Sequence, residues 1–351
     1  MAMAMLATGC DSEAGVSDDS TAWRTSIRPV TTSGLAWASG STVHLSDGTT
    51  INTGSGFVNT FVVAGDGVFF VPAASEEGAG SGFSDAKLQF AAPGKPVIDT
   101  GVVVSDFWSF AASEDGHYLV AIDPTAAGVE DRFHTPQATT VAFDLATGEQ
   151  VVDSTMGMGD PASDDFADGY SDAEMQILAL TETILYVRTF DDVVFDLATG
   201  VGEEVRDEPW REDVDELTSP DGEWRIERAA EGPSRIVGTN GQAVTPSTKG
   251  PRWNLFGWAD DRTAVGTYIT GPNTGNRSKS GDSVALMSCA VPAGECQVFE
   301  ETEGETVTFP AHSTQGHGII LRWCRDRHRS SGSFALTGDP EIEDPRSREC
   351  P

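Results

Sequence analysis

Chemistry in this chain has to come chiefly from carboxylates and cysteines. Aspartate and glutamate number 55, against 6 histidines and 5 cysteines. The densest acidic stretch is DPASDDFADGYSD, which holds Asp160, Asp164, Asp165, Asp168 and Asp172. Several carboxylates on one loop suit a hard cation, so calcium is the ion this stretch would take through Asp164, Asp165, Asp168 and Asp172. Its spacing is not that of an EF-hand, because Phe166 falls at the third position counted from Asp164. Read without a metal, the stretch is a solvated acidic loop. The histidines are His44, His117, His134, His312, His317 and His328. His312 and His317 stand in AHSTQGHG, a spacing that matches no metal-binding motif and reads as loop. The chain contains no G-x-S-x-G elbow, no H-E-x-x-H and no phosphate loop. GAGSG at 78–82 is not followed by Lys and Ser or Thr, and reads as an inter-strand connection. No residue is assigned a catalytic role, and no cofactor is called for beyond the calcium option.

The cysteines are Cys10, Cys289, Cys296, Cys324 and Cys350. Cys289 and Cys296 flank a turn at Ala293-Gly294, which puts them on facing strands within bridging distance. Cys324 and Cys350 can tie down a C-terminal segment that is poor in apolar residues. A zinc site built from these four is the rival reading, although no C-x-x-C pair is present. Two disulfides leave Cys10 unpaired.

The elements that must position these groups are strands. The 38 glycines, with frequent Asp, Thr and Val, favour turns and strands over helices. Short alternating runs such as Thr140-Val141-Ala142-Phe143 recur along the chain. No run approaches the roughly 18 apolar residues that span a bilayer. The formal charge is −33, with only four lysines: Lys87, Lys95, Lys249 and Lys279. Such a surface repels phosphate backbones and anionic head groups, which argues against nucleic-acid binding and against membrane attachment by charge. The basic run RWCRDRHR at 322–329 is expected to pair with the acidic body.

Two segments nearly copy each other: VAFDLATGEQVVD at 141–153 and VVFDLATGVGEEV at 193–205. Each reads as strand, glycine turn, strand. Looser relatives turn at Gly48, Gly94, Gly241 and Gly294; with Gly148 and Gly200 the six glycines are 46, 54, 52, 41 and 53 residues apart. A second kind of turn precedes them, as in Ser113-Glu114-Asp115-Gly116 and Ser219-Pro220-Asp221-Gly222. A repeat of about 40 to 50 residues made of strands predicts a β-propeller, all-β, with four-stranded antiparallel blades. Six blades are expected between Trp23 and Glu301, with a seventh as the alternative. Trp37, Phe61, Phe69, Trp108, Phe143, Tyr186, Phe195, Trp224, Phe256 and Trp258 are expected to fill the space between blades. TVTFP at 306–310 and WRTSIRPV at 23–30 are the two candidates for a ring-closing strand.

The SPDG turns and DLATGE hairpins resemble the WD40-like and PQQ-like β-propeller repeats of bacterial exported proteins, over about residues 23–301. Leu6-Ala7-Thr8-Gly9-Cys10 resembles a bacterial lipobox, which implies lipidation of Cys10. An export address and disulfides agree, since disulfides persist in an oxidising compartment. The chain is thus expected to comprise a lipobox-like remnant and polar tether over 1–22, propeller blades over 23–304, and ring-closing strand and disulfide-tied tail over 305–351. The resemblance specifies the fold and leaves the function open; the leading expectation is a monomeric, non-catalytic binding or scaffolding module for an envelope protein, peptide or glycan, on the outer face of a bacterial membrane. The alternatives are an exported glycosidase or lyase with carboxylates in the central channel, and an envelope-assembly factor that binds by strand addition.

Overall fold

The computed structural model describes residues 21–311, apart from 174, 206–216, 229–232, 249, 251, 274–277 and 280. Cys10, Cys324, Cys350, His312, His317, His328 and the basic run at 322–329 lie outside the described residues. The fold is a β-propeller of six antiparallel sheets. Blade I contains β1 (Trp37–Ser39), β2 (Thr42–His44) and β3 (Thr50–Asn52). Blade II is β4 (Phe57–Ala64), β5 (Gly67–Ala73), β6 (Ala86–Ala91) and β7 (Ile98–Val104). Blade III is β8 (Phe110–Ala112), β9 (Tyr118–Asp123), β10 (Thr139–Asp144) and β11 (Glu149–Ser154). After a short helix α1 (Phe166–Asp172), blade IV is β12 (Gln176–Leu180), β13 (Ile184–Arg188), β14 (Val193–Asp196) and β15 (Gly202–Glu204). Blade V has β16 (Trp224–Glu227), β17 (Arg235–Gly238) and β18 (Ala243–Val244), and a single bridge from Thr218 to Arg225 stands where its first strand would be. Blade VI is β19 (Trp253–Asp260), β20 (Thr263–Thr270), β21 (Ser283–Ala290) and β22 (Cys296–Phe299).

The ring is closed by β23 (Val307–Thr308), which pairs with β1 to give blade I its fourth strand. Of the two closing candidates, the TVTFP segment does this. The segment from Trp23 to Val30 is not a strand; it starts with a 3-10 turn, Ala22–Arg24, and binds across the turns of blades II and III. In blades I to IV the first strand lies innermost. β23 packs against β4, β4 against β8 and β8 against β12, and Phe61 bridges Pro310 in parallel.

The repeated turns are built by the same hydrogen bonds. In blade III the Ser113 hydroxyl donates to Asp115 at 2.6 Å and accepts from the Tyr118 amide, while Asp115 accepts from the His117 amide. In blade V, Ser219 and Asp221 make the same three bonds with Glu223 and Trp224. In the second turn type, Asp144 and Asp196 each accept from amides two or three residues on, and Gly148 and Gly200 donate back to their carbonyls. Gly200 has φ +68°, and a Cβ there would lie 2.1 Å from the Val151 carbonyl oxygen, so this turn requires glycine.

Each sheet has two faces to bury, and at five junctions among the described residues it buries one against the neighbouring blade. Blades II and III share Phe69, Phe90, Phe110 and Phe143; blades III and IV share Val120, Val152, Leu185 and Phe195. Further clusters join I to II, V to VI and VI to I. Among the described residues no such cluster joins IV to V. Of the aromatic residues expected between blades, Trp37, Phe61, Phe69, Phe143, Phe195, Trp224 and Phe256 are buried, while Trp108, Tyr186 and Trp258 are half-buried. Trp23, expected in a closing strand, instead fills the junction of blades II and III and sets its ring edge-on to Phe69 and Phe143.

Candidate interaction face

The two faces of the ring are unequal. The first-to-second and third-to-fourth strand turns form one face, here called the lower. The chain from 21 to 36 runs across it. The Ser26 amide donates to the Leu145 carbonyl at 2.6 Å, and the Val30 amide to Gly65 at 2.9 Å. Asp66 holds the same strand of chain, accepting from the Ser26 hydroxyl at 2.7 Å, the Arg28 amide at 2.5 Å and Lys95 at 3.2 Å. Burial acts to raise the Asp66 pKa, but the three donors outweigh it and the carboxyl sits below its ordinary value. Further along, Gly34 adopts φ +81°, and a Cβ there would lie within 4 Å of Ser46 of blade I and Asp260 of blade VI.

The upper face carries the longer connections. The one between β9 and β10, residues 124–138, is a hairpin held by its own hydrogen bonds. Buried Asp131 organises its tip, accepting from the Phe133 and Thr135 amides at 2.8 Å each. The Asp131 amide donates to the Thr135 carbonyl, the His134 amide to the Asp131 carbonyl, and the Gln137 amide to Val129. His134 completes the turn at φ +66° and binds Glu130 through Nδ1 at 2.8 Å, which raises its pKa. This architecture leaves Phe133 60% exposed at the tip and Val129 49% exposed on the arm.

The hairpin leans on the acidic connection between blades III and IV. Gln137 Nε2 donates to the Gly159 carbonyl at 2.7 Å, Arg132 pairs with Asp164 at 2.7 Å, and the Ala138 amide donates to the Tyr170 hydroxyl. Tyr170 packs with Phe166 and Phe190, and burial pushes its phenol up to about 12. The acidic stretch is therefore not a plain loop: its second half is α1, whose apolar side seats the hairpin. Of the calcium candidates, Asp164 is engaged by Arg132, Asp165 is the residue before α1, Asp168 lies in its first turn and Asp172 ends it. Among the described residues no three His, Cys, Asp or Glu side chains gather as a metal site.

A second feature marks the entry to β8. The Asp106 carboxylate accepts from the Trp108 amide at 2.7 Å, and the Trp108 carbonyl accepts from Ile177 of blade IV. Burial of Asp106 outweighs its hydrogen bonds from the Trp108 and Ser109 amides and raises its pKa. Neither Asp106 nor the Phe133 hairpin was apparent from sequence. Asp-Arg-Phe-His at 131–134, an aromatic residue inside a polar turn, is the signal that could have marked the hairpin. Cys289 and Cys296 face each other across β21 and β22 and form a disulfide with Cα atoms 4.1 Å apart.

No protein-family model matches this chain, and no curated protein sequence does. Among solved structures it is similar to a TolB-like protein from Agrobacterium tumefaciens, at 12% identity over 69% of this chain and 80% of that one, with a TM-score of 0.27. It is also similar to an oligogalacturonate lyase in complex with manganese, at 11% identity over 73% and 69%, TM-score 0.26. A prolyl endopeptidase matches at 13% identity over 77% of this chain and 39% of its own, TM-score 0.25. At these scores the likenesses carry no functional argument; the chain's own sheets define it as a β-propeller.

Proposed function

We propose that this propeller is a non-catalytic binding module, held on the outer face of a bacterial membrane by lipidated Cys10, which contacts a partner through its upper face. The observation that carries the reading is the inequality of the two faces. The described chain begins at residue 21 on the lower face and is fastened there through Trp23, Ser26 and Arg28. The upper face presents Val129 and Phe133 on a hydrogen-bonded hairpin, whereas the apolar side chains exposed on the lower face, Ile27, Val97 and Val201, lie on the side where the described chain begins. An anchor on the lower side would hold the contact face away from the membrane. Two acyl chains at about 0.8 kcal/mol per buried methylene would outweigh repulsion of the acidic body by anionic lipid.

The test is the non-reduced intact mass of the protein from its native host, beside membrane fractionation. Cleavage before Cys10 with acyl chains added, in the membrane fraction, supports the reading. An unmodified chain in the cytosolic fraction overturns it.

A second reading has one observation in its favour: the raised carboxyl of Asp106 on the upper face, as a general acid requires. An exported glycosidase would need a second carboxyl about 5 to 10 Å from it. Turnover of a polysaccharide panel that is lost in Asp106→Asn, with folding intact, would establish this reading in place of the first.

A further inference from the structure

We propose that the 124–138 hairpin is the docking element of this face, and that its partner is a basic protein segment which seats Phe133 in an apolar recess flanked by Lys or Arg. The inference rests on the binding-module reading and names the partner's chemistry.

Three observations converge. The first is the presentation of Phe133. The Phe133 side chain is 60% exposed at the tip of the turn, and Val129, on the arm of the same hairpin, is 49% exposed. Aromatic side chains of this kind anchor protein interfaces when they enter a recess on the partner.

The second is preorganisation. Asp131 fixes both the Phe133 and the Thr135 amides, Glu130 bridges Pro136 across the hairpin, and Gln137, Ala138 and Arg132 tie it to the 159–170 segment. Arg132 also lies over the Phe133 ring, 4.7 Å from its centroid, and so covers part of one face and steadies the ring. A side chain held by a fixed backbone loses little further freedom on binding, so more of its contact energy appears as affinity.

The third is charge. Among the described residues of this corner, Glu130, Asp160, Asp164, Asp165 and Asp168 stand against Arg132, which Asp164 engages, and His134, which Glu130 engages. The whole chain carries −33, so the potential around the tip is negative at long range as well. Such a field accelerates encounter with a cationic partner and disfavours an anionic one or a second copy of this chain. It also disfavours an anionic lipid surface.

The experiment uses the full chain and three fluorescein-labelled 15-residue peptides, read by fluorescence anisotropy at low salt. One alternates Lys and Leu, one Lys and Ser, and one Glu and Leu. The Lys/Leu peptide is expected to bind, with at least tenfold loss in Phe133→Ala. The Lys/Ser peptide is expected to bind weakly and equally to both proteins, and the Glu/Leu peptide not to bind. Phe133 is exposed, so Phe133→Ala should melt with wild type, which separates lost contact from lost fold. Asp131→Asn, which weakens the support of the tip, is expected to lose affinity in the same direction but less. Equal binding of the Lys/Leu peptide to wild type and Phe133→Ala would overturn the inference while leaving a binding module with its contacts elsewhere. Phe133-dependent dimerisation, or Phe133-dependent binding to neutral phosphatidylcholine vesicles without peptide binding, would also overturn it, by assigning the tip to self-association or to lipid.

Discussion

Thr308 donates its hydroxyl to the carbonyl of Val58, 250 residues earlier in the chain. The bond joins β23, the last strand, to β4, the first strand of blade II. Next to it the Ala311 amide donates to Phe61, and Val307 is wholly buried among Trp37, Leu286 and Phe309. Ring closure therefore depends on about five residues at the C-terminal end of the blades. Val307→Ala removes two buried methyl groups and should cost about 2 kcal/mol, read as a lower denaturant midpoint. Thr308→Val keeps the shape, removes the hydrogen bond and should cost about 1 kcal/mol. A chemical-denaturation series in which both variants match wild type would show that the strand is not needed to hold the ring.

Trp23 plays the same part on the lower face. It is 2% exposed and packs edge-on to Phe69 and Phe143 with centroids 5.6 and 4.9 Å away. Trp23→Ala should destabilise by about 3 to 5 kcal/mol. It should also release the segment through Val30, making the amides of Ser26 and Arg28 exchange faster. Hydrogen exchange in the variant reads this directly. Unchanged protection at those amides would mean that Asp66 holds the segment without help from the indole.

Why the propeller could be read from sequence while its contact face could not follows from how each is built. The turns at Gly148 and Gly200 need a glycine at a positive φ and an Asp four residues before it, so the need leaves a spaced signature. The Cys289–Cys296 pair was legible for the same reason: a hairpin turn fixes which residues face each other. Trp23 stood in one of two candidate closing strands because an aromatic residue beside Arg and Thr fits either a strand or a plug. Only the packing of blades II and III decides between them. Phe133 was missed for a different reason. Its exposure results from the Asp131 hydrogen bonds and from the support of Tyr170, more than 30 residues on, and no local pattern encodes that distance. Asp106 likewise acquires its raised pKa only from the surroundings that bury it.

Stability should fall in acid through a small set of carboxylates. Arg252 lies 2.6 Å from Asp282 in a pair whose side chains are 10% and 0% exposed, and holds the Asp282 carboxyl well below the usual range, with help from the Lys279 amide and Asn273. For Asp66 and Asp144 burial pulls upward, but hydrogen bonds from Ser26, Arg28 and Lys95 in one case, and from Thr147, Ala146 and His117 in the other, bring them below normal. A carboxyl with a lowered folded pKa stabilises the fold above its unfolded value near 4 and loses that contribution as pH falls toward the folded value. The melting temperature should therefore vary little with these groups between pH 5 and 8 and drop below about pH 4. Asp282→Asn should cost about 2 kcal/mol at neutral pH and soften the acid slope. An acid slope identical to wild type in that variant would remove Asp282 from the set.

The disulfide gives a prediction that bears on both fold and location. Cys289 and Cys296 are only 7 residues apart in sequence, so the closed loop is short and the chain-entropy model assigns it about 2.5 kcal/mol. Cys289 is fully buried within the cluster that joins blades V and VI, beside Met287 and Val291. Replacing both cysteines by serine would bury a hydroxyl there as well as removing the bond. Cys289→Ala with Cys296→Ala isolates the cross-link better and should lower stability by about 2 to 3 kcal/mol. Reduction of the wild type should shift its denaturation midpoint to that of the double variant. A wild-type protein insensitive to reductant, while thiol labelling confirms that the bond is open, would mean that strand pairing between β21 and β22 already supplies the restraint. The bond would then be a consequence of the compartment in which the protein folds, not a source of its stability.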